Sequence, residues 1–293
     1  MNLLQIAARF RSQEACIAHL ESVRWPDRAN CPHCGSLNVA RKAENDRIGR
    51  WNCHDCKSSF NVMSGTIFAK TKIPLRNWFM ALSLMVNAKK SLSSHQLARD
   101  LGMNQGSAHY MQQRIRAEMT NKQGEILLHG IIEADETYVG GKPRKRNKRD
   151  DDEPKAPRGR ATKKTPVIGA VERGGKVVAQ VAGDLTGRGV MRFLRKAVDP
   201  TGSLLITDEY RAYRAVRSSI PHEVIKHSEQ YVDGSIHTNT IEGFWSLLKR
   251  AWYGQHHQYR KHYMPLYVGE ACWKYNERNN AGAFGTFLRG CFA

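Results

Sequence analysis

Two Cys-x-x-Cys pairs, Cys31-Pro-His-Cys34 and Cys53-His-Asp-Cys56, stand 18 residues apart and constrain this chain more tightly than any other feature. At that spacing each pair makes a tight knuckle, and the residues between return as a hairpin. Four thiolates then close a tetrahedral Zn²⁺ sphere and leave no open position for catalysis. The expectation is a structural zinc site that organises residues 28–70 as a small ribbon, because the stretch from Cys31 to Phe68 is rich in Cys, Gly, Asn and Ser and poor in core-forming residues. His33 and His54, inside the knuckles, are substitute ligands; buried or disulfide-linked cysteines without metal are the competing arrangement. Cys16, Cys272 and Cys291 lack close partners and read as packing residues. A total of seven cysteines, four of them in close pairs, suits a reducing compartment better than a disulfide framework, so the cytoplasm is the expected location.

Upstream of the ribbon, Leu3, Ile6, Phe10, Ile17 and Leu20 recur near the helical period until Trp25-Pro26 interrupts them, which predicts one amphipathic helix, Leu3–Val23, within residues 1–27. Downstream, residues 71–122 turn helical. Trp78, Leu82 and Met85 share one face, Leu97 and Leu101 follow, and Tyr110, Ile115 and Met119 come after a Gly102-Met-Asn break. The last two segments have the pattern of a helix-turn-helix, whose second helix would lie in a major groove with Asn104, Gln105, Ser107 and His109 toward base edges and Arg114 and Arg116 toward phosphates. An ordinary three-helix packing unit has the same pattern.

Charge bears on that choice. The 293 residues carry 46 Lys+Arg against 27 Asp+Glu, a net +19 that points to a polyanionic partner. The longest strongly apolar run, Trp78–Val86, is far short of the ~20 residues that cross a bilayer, so no membrane association is expected. Within Lys142–Lys164, eleven Lys/Arg against four Asp/Glu leave +7, and its Pro, Gly and charge content predicts a basic loop with Lys142, Arg144, Lys145 and Arg146 at its start.

Around that loop, residues 123–293 read as an α/β series. Strands are predicted at Ile126–Val139, in a hairpin of Val167–Glu172 and Lys176–Val181 across Gly174-Gly175, and at Ser203–Thr207 and Glu223–Lys226. Helices are predicted at Val190–Val198, Glu209–Ser219 and from about Thr240 onward.

Three acids stand out in this half. Asp135 sits in an otherwise apolar strand, where a carboxylate is costly without a cation or hydrogen-bond donors. Asp208 ends the apolar run Leu204-Leu-Ile-Thr, at the strand end where open α/β sheets carry their sites. Glu242, Ser246, Lys249 and Arg250 fall on one helix face. Two strands and a helix can thus bring Asp135, Asp208 and Glu242 around a pair of Mg²⁺ ions, with Lys249 holding a DNA backbone. Asn239 and His237 are alternative ligands, while Glu133, Glu136 and Glu209 are the neighbouring acids most easily mistaken for ligands.

Taken together, Arg24-Trp-Pro26, Cys31-Pro-His-Cys-Gly35, Gly65-Thr-Ile-Phe68, Pro74-Leu-Arg-Asn-Trp78, Glu133-Ala-Asp-Glu-Thr-Tyr-Val-Gly-Gly-Lys142, Thr207-Asp-Glu-Tyr210 and His237-Thr-Asn-Thr-Ile-Glu-Gly-Phe-Trp-Ser-Leu-Leu-Lys-Arg250 make the chain resemble a family. This is the group of bacterial insertion-sequence DDE transposases led by a zinc ribbon, the ISXO-like group. The resemblance spans nearly the whole chain. It implies a multidomain α/β protein in which a zinc ribbon and helix-turn-helix precede an RNase H-like catalytic domain. It further implies Asp135, Asp208 and Glu242 as the catalytic triad, Lys249 as their companion, Mg²⁺ or Mn²⁺ as the working metal, and double-stranded DNA as partner, bound by a homo-oligomer. Some relatives use an asparagine as third member, which keeps Asn239 as the alternative to Glu242. The segment Gln255-His-His-Gln-Tyr-Arg-Lys-His262 also looks like the family, with His256, His257 and His262 facing phosphate or metal or simply lying on a surface helix. A zinc-ribbon DNA-binding regulator with an inactive catalytic fold, and a structure-selective nuclease that never joins strands, are the rival readings.

Overall fold

The computed structural model describes residues 1–42, 49–121, 126–140, 164–216, 219–225 and 236–292. The start of the basic loop, with Lys142, Arg144, Lys145 and Arg146, lies outside them. The chain forms two compact units: Met1–Lys122 with Asn279–Ala293, and Gln123–Arg278.

The first unit opens with two helices rather than the expected one. α1 (Leu3–Arg9) and α2 (Gln13–Arg24) are separated because Ser12 turns extended and its hydroxyl accepts from Ala15 N, capping α2. A serine that satisfies the free N–H groups of a new first turn ends the preceding helix. α2 then grips the ribbon: Arg24 Nη1 donates to Val62 O at 2.7 Å and Ser64 O at 2.8 Å, and Trp51 Nε1 donates to Glu21 Oε1 at 3.0 Å. The ribbon is a three-stranded antiparallel sheet of β1 (Val39–Arg41), β2 (Arg50–Cys53) and β3 (Ser59–Asn61). Trp25 packs edge-on against Trp51 and Phe60, a small aromatic core at the root of the ribbon.

Three helices follow as the periodicity predicts: α3 (Leu75–Asn87), α4 (Ser94–Leu101) and α5 (Gln105–Asn121). Gly102 turns the chain between α4 and α5 at φ 60°, a conformation that a side chain resists. α5 buries Ala108, Met111, Ile115 and Met119, so the apolar stripe runs through Met111 and leaves Tyr110 44% exposed. The expected C-terminal region 123–293 ends sooner than its boundary: residues 279 onward cluster with the first unit, where Phe284 of α9 (Ala283–Gly290) meets Phe79 edge-on at 5.8 Å.

The second unit is built on a five-stranded sheet of order β6-β5-β4-β7-β8. β4 (Ile131–Val139) pairs antiparallel with β5 (Thr165–Glu172), which pairs antiparallel with β6 (Val177–Val181). On its other side β4 runs parallel to β7 (Leu204–Thr207), and β7 parallel to β8 (His222–Val224). β4 begins later than the expected Ile126, because Gly130 at φ 70° breaks the run and Leu128 makes only an isolated bridge to Val198. The segment expected as helix Glu209–Ser219 is a 3₁₀ turn, Arg211–Val216.

Alternation along β4 and β5 divides two cores. Ile132, Ala134, Ile168 and Ala170 pack with α6 (Gly187–Ala197) and the 3₁₀ turn. Val139, Val167 and Val171 pack with α7 (Asn239–Ala251) and α8 (Met264–Asn276). Each fully buried Val, Leu, Ile or Phe here contributes roughly 1.5–3 kcal/mol, which is what holds α7 against the sheet.

Candidate metal centres and catalytic face

In the ribbon, the Sγ atoms of Cys31, Cys34, Cys53 and Cys56 all lie within 4.8 Å of one another. Cys31 Sγ is 3.6 Å from Cys56 Sγ, and Cys34 Sγ is 3.6 Å from Cys53 Sγ. Sulfurs placed ~2.3 Å from a common zinc stand roughly 3.8 Å apart, so this donor set fits one tetrahedral Zn²⁺. The knuckles are alike: Cys31 N donates to Ser36 O and Cys53 N to Ser58 O, each at 2.9 Å. Asp55 ties them together by accepting from Ser36 Oγ and Asn38 Nδ2. Hydrogen bonds from Ser58 lower the Cys56 thiol while the neighbouring sulfurs raise that of Cys34, so the four sulfurs share their protons unevenly. His33 and His54 are exposed and stay out of the four-sulfur cluster. Cys16, Cys272 and Cys291 are buried, as expected of packing residues.

On the second unit the sheet brings two of the three acids together. The parallel register sets Glu133 beside Ile206, and two residues further along lie Asp135 and Asp208. Burial first, then the charges of Glu136 and Asp208, push the Asp135 carboxyl up to about 7. These crowded, half-buried carboxylates present hard oxygen donors of the kind that bind divalent cations. Tyr210 N donates to Asp208 Oδ1 at 3.0 Å. Buried Tyr213, its phenol raised well above the usual range by burial and by Glu136, Asp135 and Asp208, donates to Glu136 Oε2 at 3.4 Å.

α7 supplies the rest. Its Trp245 Nε1 donates to Asp135 Oδ2 at 3.0 Å. Glu242 is exposed in the first turn, where Thr238 Oγ1 donates to its Oε1 at 3.2 Å. The three carboxylates do not share a 4.8 Å neighbourhood; among the described residues the four cysteines alone form such a group. Lys249 and Arg250 are exposed two turns on. Partial burial lowers the Lys249 ammonium against the pull of Asp135, with Lys164 adding to the lowering and Glu242 opposing it. A cavity of about 180 Å³ opens beside Lys249, lined by Tyr138, Val139, Gly140, Lys164, Trp252 and Tyr253.

Other expected residues fall differently. Asn104 Oδ1 accepts from Ser107 N at 2.8 Å and so caps α5, while Gln105 is exposed with its amide donating to Ser94 Oγ at 2.7 Å. His109 is partly buried beside Gln113. Arg116 is fully buried, and Arg114 donates to Ala69 O at 2.9 Å and Thr66 O at 3.2 Å. Arg116 is therefore sealed within the α5 packing, whereas Arg114 is partly buried and tied to the backbone of the loop before α3. His256 packs on Tyr259 and Tyr267, and His262 on Tyr263; both are ring contacts of a helical surface. Asn239 begins α7 and is exposed.

Glu133, one of the acids most easily mistaken for a metal ligand, is fully buried and bonded to Arg173 Nε at 2.6 Å. Sequence reasoning passed over Arg173, Trp245 and Gly169. Only Gly169 left a signal, a glycine inside a strand. It stands opposite Asp135 in the β4–β5 register, and a Cβ there would lie 2.6 Å from Trp245 Cη2.

A ribbon with a four-sulfur site, followed by a mixed sheet with acids on adjacent strands, defines a class that comparison with known proteins makes specific. Residues 127–276 match the ISXO2-like transposase domain, and residues 11–59 match the transposase zinc-ribbon domain. The chain belongs to the ISXO2-like transposase family. An uncharacterized protein in transposable element ISH50 of Halobacterium salinarum is 27% identical over 267 residues, spanning 88% of this chain and 89% of that one. Among solved structures, the Mos1 strand transfer complex matches at 16% identity and TM-score 0.22, over 68% of this chain and 75% of its own. The Mos1 mariner paired end complex with Mn matches at 16% identity and TM-score 0.22, over 67% and 75%. No helix among the described residues is long and apolar enough to cross a membrane.

Proposed function

We propose that this transposase binds the ends of its own element as double-stranded DNA, cleaves them and joins them to target DNA at the β4–β7–α7 face. The observation that carries this is Asp135 and Asp208 at neighbouring positions of parallel strands, with α7 bearing Glu242 and Lys249 and fastened to Asp135 through Trp245. The strand order, three antiparallel strands continued by two parallel ones with helices on both faces, supports the RNase H-like reading of this unit.

Asp135, Asp208 and Glu242 would hold Mg²⁺ or Mn²⁺, which when bound activates an attacking oxygen and stabilises the leaving one in phosphodiester displacement. The protein's own groups do the positioning. Trp245 fixes the Asp135 carboxylate, Lys249 and Lys164 hold a phosphate at the rim, and the aromatic wall of Tyr138, Trp252 and Tyr253 excludes water beside it. α4 and α5 act as a helix-turn-helix, presenting Gln105 and Ser107 at the start of the second helix, and residues 142–164 grip backbone phosphates. A second cationic surface, Arg188, Arg192, Arg195 and Lys196 around a groove of about 500 Å³ on α6, adds to the attraction for DNA. Pairing two ends calls for at least two copies on DNA.

Single-turnover assays on a linear duplex carrying the element ends test this. Asp135→Asn, Asp208→Asn and Glu242→Gln should each keep end binding and lose both cleavage and joining. Normal cleavage by all three with Mg²⁺ present would reject the assignment.

A further inference from the structure

We infer that Glu133, clasped by Arg173, is a positioning residue that sets where Glu242 stands relative to Asp135; this rests on the catalytic reading above. Glu133 and Asp135 are two residues apart on β4 and so project from the same face of the sheet. Glu133 Oε2 accepts from Thr240 N at 2.7 Å and Ile241 N at 3.0 Å, and its Oε1 accepts from Thr240 Oγ1 at 2.8 Å and Arg173 Nε at 2.6 Å. Arg173 Nη2 in turn donates to His237 O at 2.9 Å and to His237 Nδ1 at 3.1 Å. Those contacts span His237, two residues before α7, and the helix's first turn.

The helix lacks a cap of its own. The side chain of its N-cap residue, Thr238, accepts from no first-turn backbone N–H, and its hydroxyl donates to the Glu242 carboxylate. Two free N–H groups of α7, those of Thr240 and Ile241, are thus satisfied by a carboxylate from the sheet, which also sits at the positive end of the helix dipole. α7 is pinned to β4 at two points: its first turn to Glu133, and Trp245 to Asp135. Glu242 lies between them, so its distance from Asp135 follows from the two attachments. Stability alone explains this poorly. A serine or aspartate at the N-cap would cap the helix cheaply, whereas a buried Glu–Arg pair carries a desolvation cost that often exceeds its attraction.

The test uses the full chain with zinc, [¹⁵N]Trp labelling, and the element-end duplex. Glu133→Gln keeps an acceptor for Thr240 and Ile241 but loses the pairing with Arg173. It should melt above the assay temperature, bind the duplex as wild type does, and cleave about 100-fold more slowly, the scale of a small misplacement of a reacting group. The Trp245 indole N–H resonance, assigned with Trp245→Phe, should shift while those of Trp25 and Trp51 stay in place. Adding Arg173→Met to Glu133→Gln, which removes the partly buried cation that has lost its carboxylate, should recover part of the rate. Wild-type cleavage together with an unmoved Trp245 resonance in Glu133→Gln would overturn the inference, as would a loss of rate explained entirely by melting. Should Glu133→Gln not fold, Arg173→Lys carries the same two expectations and the same two refutations. Asp135→Asn separates the premises: if it cleaves normally, the catalytic reading fails; if it is inactive and Glu133→Gln is not impaired, only the positioning role fails.

Discussion

Trp245 donates its indole N–H to Asp135 across a strand whose facing residue is Gly169. The ring fits only because position 169 has no side chain, since a Cβ would come within 2.6 Å of it. Gly169→Ala should therefore lift α7 from the sheet and cost about 1–3 kcal/mol of stability, as overpacking does. Urea unfolding of the purified protein measures this. An unchanged midpoint would mean that the ring moves freely and does not fix Asp135.

The acid assignment distinguishes residues close in sequence. Asp208→Asn and Glu242→Gln should lower single-turnover cleavage on the order of 10³-fold, the scale of removing one electrostatic interaction with the transition state. Glu136→Gln and Glu209→Gln should stay near wild type. If Glu242→Gln is active and Asn239→Ala is not, the third ligand is Asn239.

Zinc should be bound at one ion per chain and should hold the ribbon. Chelation, or Cys53→Ser, is expected to release the metal, expose the ribbon to protease and weaken end binding, while the β4–β8 sheet retains its circular dichroism signal. Metal-free protein with an intact ribbon would contradict this.

Phosphate gripping and base reading differ in salt dependence. Neutralising several cations between Lys142 and Lys163 should weaken binding to any duplex and flatten the slope by about 0.9 for each phosphate that the protein no longer neutralises. Gln105→Ala should instead reduce the preference for element ends over random DNA. Arg114→Ala should lower the melting temperature and leave the salt slope alone, because its guanidinium is bonded to Ala69 O and Thr66 O.

His19 predicts a pH effect. Burial between Phe10 and Phe79, with Arg9 nearby, lowers its pKa from 6.5. A histidine with a depressed folded pKa resists protonation in the folded state, so its contribution is full above the unfolded pKa and is lost as pH falls from there through the lower folded pKa. The melting temperature should decline below pH 6.5 and decline less in His19→Gln, measured by calorimetry.

The features legible in the sequence were those encoded over short distances. Cysteine spacing specifies the knuckles, Gly174-Gly175 marks the β5–β6 turn, and apolar periodicity marks α3, α4 and α5. The acids at Asp135 and Asp208 stood out because each interrupts or ends an apolar run. The break at Ser12 was also local, but a capping serine competes with a continuous apolar stripe, and only the folded chain shows which prevails.

What the tertiary structure alone decided are the partners of buried charges. Glu133 and Arg116 look like any other ionised residues in the chain, yet one joins β4 to Arg173 and the start of α7 and the other is sealed beneath α5. Residues 279 onward likewise join the first unit through an aromatic contact far away in sequence. Periodicity records which face of an element is apolar, because that depends on neighbours a few positions away. It cannot record which distant donor meets a buried carboxylate, since that is set by how separate elements pack once the chain has closed on itself.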